Sequence, residues 1–162
     1  SAQKNRLLIH SQASCALGHR FQKWGTSWDH IPSYRLIRST AEPVGKCEFL
    51  TVLAPHPVES SAPDIAPVEV EGAQGVRISR GDREALVLCG RPGATVAITG
   101  VETDARMIVL SRDGGELIGA AMWGGTRLAL VKEGEILTAG QPGLVGAVRA
   151  EGKWMAQQAS SP

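Results

Sequence analysis

Apolar and polar positions along this chain fall into short runs with the period of strands, and no stretch sustains the three-and-four spacing of a long helix. Met107-Ile-Val-Leu110 and Leu117-Ile-Gly-Ala-Ala-Met-Trp123 are apolar on both alternating faces. Between them Arg112-Asp-Gly-Gly115 is a tight-turn sequence, which predicts a β-hairpin. A third run, Arg127-Leu-Ala-Leu-Val131, follows Gly124-Gly125, read as a second turn. Strands buried on one face alternate apolar with polar, so these near-continuous runs place a three-strand meander in the middle of a sheet or sandwich. Met107, Val109, Leu117, Ala121, Leu128 and Leu130 are its expected core residues.

Before the meander, the segments from Arg6 to Gln12, Leu17 to Lys23, Tyr34 to Ser39 and Cys47 to Leu53 read as strands, the last two as a hairpin of long strands. The segment from Trp24 to Pro32 reads as a loop from its Gly, Ser, Asp and Pro content. Residues 54–73 carry Pro55, Pro57, Pro63 and Pro67 and are expected to form a crossing connection, with Val68-Glu-Val70 a short edge strand. Strands then arrive every eight to twelve residues, about the rhythm of a sandwich. The fold expected is all-β, a two-layer antiparallel β-sandwich, as one domain over residues 1–162. An abrupt entry into a strand at Arg6 and the lack of a signal-peptide h-region suggest a piece or C-terminal part of a larger protein.

Composition narrows the function classes. The 162 residues are 43% apolar and 20% charged, which is globular and not disordered. A formal net charge of +1 offers no basic face for nucleic acid, so no nucleic-acid partner is expected. No apolar run is long enough to span a bilayer. Cys15, Cys47 and Cys89 lack CxxC spacing; buried free thiols are the preferred reading, with a Cys15–Cys47 disulfide the alternative.

No complete catalytic motif is present, and no catalytic residue is assigned. Arg80-Gly-Asp82 matches an adhesive tripeptide but is preferred as a turn. His19, Asp29 and His30 have ligand chemistry without ligand spacing, so neither a metal nor a cofactor is expected. His19, Arg20, Trp24, Trp28, His30, Tyr34, Arg35 and Arg38, with Lys23 among them, form the one suggestive constellation. Aromatic faces stack on sugar rings, and arginine forks pair with carboxylates, so these eight are the candidate substrate-binding residues for an acidic oligosaccharide or polysaccharide. The competing reading has the two tryptophans plugging one end of the sandwich while the cations are solvated.

Three phrases, Arg6-Leu-Leu-Ile-His-Ser11, Ile31-Pro-Ser-Tyr34 and Phe49-Leu-Thr-Val-Leu-Ala-Pro55, together with Thr103-Asp-Ala-Arg-Met-Ile-Val-Leu-Ser-Arg-Asp-Gly114, resemble the C-terminal β-sheet domain of heparinase II/III-like polysaccharide lyases. The resemblance implies an upstream (α/α) toroid, cleavage of uronic-acid polysaccharide by β-elimination, and a periplasmic or secreted location. In that chemistry a neutralised carboxylate acidifies the C5 proton and a Tyr or His removes it. Nothing in this chain matches the toroid's catalytic residues, so the implied role is an accessory domain that supports the cleft. A stand-alone carbohydrate-binding module and a purely structural sandwich of a secreted or surface protein are the alternatives.

Overall fold

The computed structural model describes residues 5–13, 15–26, 32–45, 47, 49–98, 100–131 and 134–158. The protein is all-β, its nine-stranded sheet and its β2–β3 pair are antiparallel, and no helix occurs among the described residues. Its contacts fall into two compact units, Arg6–Pro55 and Ser1–Asn5 with His56–Pro162.

In the smaller unit, β1 (Asn5–Ala13) pairs with β4 (Phe49–Pro57), and β2 (Leu17–Thr26) pairs with β3 (Pro32–Thr40). The hairpin expected between the strands at Tyr34 and Cys47 is therefore not formed; each of those strands pairs with an earlier one. Strand β2 also extends through Trp24 to Thr26, into residues expected to be loop. Cys15 and Cys47 form a disulfide, which corrects the free-thiol reading for this pair and leaves Cys89 free. The bond ties the β1–β2 connection to the β3–β4 connection, and Ala41 N–H donates to the Ala16 carbonyl at 2.9 Å beside it. Closing a loop of this separation, 32 residues, is worth about 3–4 kcal/mol in the chain-entropy account.

In the larger unit nine strands form one sheet. Its main path runs β13 (Lys153–Gln158), β12 (Gly134–Ala150), β11 (Glu116–Leu130), β10 (Met107–Asp113), β7 (Arg83–Gly90), β6 (Ala73–Arg80) and β5 (Asp64–Val70). Off that path β9 (Val101–Thr103) pairs with β11, and β8 (Val96–Ile98) pairs with β9. Pro67 lies in β5, an edge strand, where its missing N–H is tolerated. The β10–β11 hairpin forms where the sequence predicts it: Asp113 pairs with Glu116, and Gly114 and Gly115 take φ values of 57° and 84°. Two left-handed residues in a two-residue loop match the twist of the strands they join.

Gly124-Gly125 is not a turn. It lies within the single strand β11, whose first half pairs with β10 and whose last residues, Leu128 to Leu130, pair with β9. Register shifts at Trp123/Gly125 and Gly125/Arg127 mark bulges there. Bulges let a long strand turn a corner and continue in a second layer, and here they curl the sheet into an antiparallel half-barrel. β12 is likewise one long strand, which includes both Ile136 and Leu144.

The inside of the curl holds the core. Leu88, Ile108, Leu110, Met122, Leu128, Val96 and Val101 are fully buried there, each worth about 1.5–3 kcal/mol of transfer free energy. Of the expected core residues, Leu128 and Leu130 are buried and Leu117 packs half-buried against the cluster. Met107 is exposed, and Val109 and Ala121 are only half-buried. Their neighbours Ile108, Leu110, Ala120 and Met122 take the inner face instead. A run apolar on both faces carries no phase, so its pattern does not decide which face turns inward.

Candidate functional site

The ladder of the β2–β3 hairpin brings together most of the residues expected to contact a ligand. His19 pairs with Arg38, Arg20 with Ile37, Gln22 with Arg35, and Lys23 with Tyr34. His19 and Arg20 are exposed. Trp24 falls in the stretch where the register shifts, between Lys23 and Thr26. Trp28 and His30 lie outside the described residues.

Two features of the larger unit were missed by the motif reading. The first is the outer face of its sheet. Cys89, Met107, Trp123 and Leu144 stand opposite one another in register across β7, β10, β11 and β12. Val148 stands opposite Met155 on β12 and β13. Met107, Trp123, Leu144, Val148 and Met155 are 37–53% exposed. The guanidinium of Arg106 lies over the Trp123 ring, 5.8 Å from its centroid, so the face is apolar with a cation at its margin. Its signal in the sequence is the same absence of alternation that hides the core phase: both faces of these strands are apolar although only one of them faces the core.

The second is a polar corner where β11 bends. Asp104 accepts hydrogen bonds from Thr126 N–H at 2.9 Å, Thr126 Oγ1 at 2.7 Å and Arg127 N–H at 2.9 Å. Thr103 Oγ1 donates to the Arg127 carbonyl at 2.7 Å and accepts from Ala105 N–H at 3.0 Å. A cavity of about 240 Å³ opens here, lined by Thr95, Glu102, Thr103, Asp104, Thr126 and Arg127. Partial burial pushes the Asp104 carboxyl upward, but the Thr126 hydroxyl and the Arg127 and Thr126 N–H groups outweigh it and hold the carboxyl below the usual range. Those donors clasp the bulged corner, and a carboxylate so engaged serves the fold.

A folded-state pKa below the unfolded one adds stability above the unfolded value, and that stability is lost as pH falls through the folded value. Asp104→Asn should therefore lower the melting temperature by a few degrees at neutral pH. The gap between parent and variant should close as pH drops below about 4, the ordinary aspartate range. Melting curves across pH check this; a gap that is constant with pH would remove the ionic part of the clasp.

No group of three or more His, Cys, Asp or Glu side chains with metal-ligand geometry occurs among the described residues. No helix among them is long and apolar enough to cross a membrane. Neither a family model nor a curated protein matches this chain.

Proposed function

We propose that this chain is an accessory β-domain of a polysaccharide lyase that cleaves uronic-acid polysaccharide by β-elimination, and that it supports the cleft without supplying the catalytic base. The resemblance of its strand phrases to the heparinase II/III-like β-domain motivates the reading. The observation that carries it is the outer sheet face, where Met107, Trp123, Leu144, Val148 and Met155 leave an apolar surface of the kind an accessory domain turns toward a neighbour. A self-sufficient carbohydrate-binding module has no need of such a face beside its sugar platform. The Cys15–Cys47 disulfide suits an oxidising compartment and supports a periplasmic or secreted location.

Under this reading the β2–β3 hairpin is the part of the chain that touches substrate, through His19, Arg20, Trp24, Trp28, His30, Tyr34, Arg35 and Arg38. Binding of uronic-acid oligosaccharides should then weaken as salt is raised. Arg35→Ala should flatten that dependence, and Trp28→Ala should weaken binding at every salt concentration. Titration of the parent and both variants at two ionic strengths, with a melting curve for each, measures this. Expression of the complete reading frame, with β-elimination followed by ultraviolet absorbance of the unsaturated product, tests the class. Absence of an upstream helical toroid would end the lyase reading.

A further inference from the structure

The cavity beside the bend of β11 holds polar groups that the fold does not use. In the ladder β8–β9–β11, Val96 and Leu128 flank Thr103, while Ala97 and Ala129 flank Glu102. Val101 and Thr103 are buried and Glu102 between them is exposed, so strand alternation turns Glu102 away from the core. Cross-strand partners share a face, and the methyls of Ala97 and Ala129 leave the Glu102 carboxylate clear on both sides. Two residues along the same face comes Asp104, held in place by Thr126 and Arg127. Thr95, one residue before β8, lines the cavity as well.

Three of the lining residues are engaged within the fold. Thr103 Oγ1 both donates and accepts, Asp104 Oδ1 accepts two N–H groups, and Thr126 Oγ1 donates to Asp104 Oδ2. Glu102 and Thr95 differ: among the described residues neither side chain forms a hydrogen bond or an ion pair. Both are exposed where they line the cavity, so a ligand reaches them from solvent with no rearrangement. Charge then chooses among ligands. Arg127 in the wall opposes a cation, and Glu102 with Asp104 opposes an anion. A hydroxyl group donates to a carboxylate and accepts from a threonine or a guanidinium, so a neutral compound rich in hydroxyls answers the whole lining. At about 240 Å³ the cavity is smaller than the roughly 300–1,000 Å³ that encloses a drug-sized ligand, which limits it to about one sugar ring.

We infer that this cavity binds one neutral sugar residue, with Glu102 accepting from a pair of vicinal hydroxyls and Thr95 bonding a further one. The clasp on Asp104 preforms the wall between them. No aromatic ring lines the cavity, so affinity rests on hydrogen bonds and falls at a Kd of about 1 mM or weaker. The site belongs to the larger unit and shares no residue with the β2–β3 hairpin. The hairpin's cations suit a uronic acid, and the cavity suits an uncharged unit of a polymer that contains both. That the hydroxyls are borne by a sugar rests on the function proposed above; that the ligand is neutral and rich in hydroxyls does not.

The backbone amides of Glu102, Thr126 and Arg127 report on the site directly. The chain labelled with ¹⁵N is titrated with the methyl glycosides of glucose, galactose, mannose and N-acetylglucosamine, each to about 100 mM, well above the expected Kd. At least one should move these amides saturably, with a midpoint that does not depend on salt. The methyl glycosides of glucosamine and glucuronic acid, the charged counterparts, should bind about tenfold more weakly. Glu102→Gln exchanges an acceptor oxygen for a donor, and Thr95→Val removes the hydroxyl while keeping the shape; each should weaken the neutral glycoside about threefold to tenfold. Amides unmoved by every neutral glycoside overturn the site, and the parent's own spectrum decides this even if a variant fails to fold. Two variants that bind like the parent overturn it too. A tighter response to either charged glycoside overturns the neutral ligand, and glycerol acting as readily as the glycosides overturns the sugar. The lyase reading fails separately: hairpin amides that ignore a uronic-acid tetrasaccharide, while the cavity answers a neutral glycoside, would refute the hairpin contact and keep the cavity.

Discussion

Replacement of Leu128 by aspartate is expected to unfold the larger unit. Leu128 is fully buried in β11, beyond the corner, where it pairs with Thr103 on β9 and Leu137 on β12. The substitution removes a leucine's apolar contacts and puts a carboxyl group among Val96, Val101 and Ile108, members of the same buried cluster. Loss of the side chain alone costs about 2–5 kcal/mol as a cavity. An unpartnered polar group adds several more, against a total stability of about 5–15 kcal/mol. Circular dichroism should show lost strand signal at 25 °C, and Leu128→Ala should remain folded with a lowered melting temperature. A Leu128→Asp protein that melts like the parent would place this strand at the surface. Met107→Asp is the contrast: on the outer face, it should leave the chain folded.

That contrast marks how far the pattern of residues reaches. The all-β class, the β10–β11 hairpin and the identity of the densest strands follow from local chemistry: short apolar runs, and a Gly-Gly pair whose φ values only a reversed turn accepts. Which face of β10 turns inward is different, because Met107-Ile-Val-Leu110 is apolar at every position, and the choice is made by partners far along the chain. The corner at Gly124-Gly125 is hidden for a related reason. Its two glycines look like those of the true turn at Gly114-Gly115, and only the pairing of Leu128 with Thr103 shows that the strand continues past them.

The candidate sites divide in the same way. Residue types picked out the β2–β3 hairpin, whose ladder sets His19 opposite Arg38 and Lys23 opposite Tyr34. Asp104 and Thr126 are 22 positions apart, with no motif between them. Their meeting depends on the bulges that bend β11 and on the pairing of its last residues with β9. Cys15 and Cys47 sit between these cases: an odd cysteine count requires one thiol without an intramolecular partner, but the choice of pair belongs to the fold.

Gly125→Ala is expected to be the most damaging methyl that can be added at the corner. A Cβ on Gly125 would stand 2.5 Å from Ala105 Cα, 2.7 Å from Ala105 N and 2.8 Å from Ala105 Cβ. These are backbone atoms and a methyl on a buried residue, so no flexible side chain can swing away. Ala105 is itself fixed: its N–H donates to Thr103 Oγ1 at 3.0 Å, and next to it Arg106 N–H donates to the Trp123 carbonyl at 3.0 Å. Relief therefore requires the corner to open, which strains the Asp104 clasp on Thr126 and Arg127 and displaces Leu128 from the core. Overpacking alone costs about 1–3 kcal/mol, and loss of the clasp adds to it. Gly124 beside it has φ 71° but meets only the Arg106 side chain, at 3.2 Å. Gly124→Ala should thus show the milder penalty of a left-handed residue, about 1–2 kcal/mol. Denaturant melts of both variants rank the two: a Gly125→Ala protein as stable as Gly124→Ala would mean that the layers do not close on each other at Ala105. Ala105→Gly should not repair the Gly125→Ala variant, because the contacts at 2.5 and 2.7 Å are to Ala105 Cα and N, which a glycine keeps. A double variant as stable as the parent would show that the clash is with the Ala105 methyl alone.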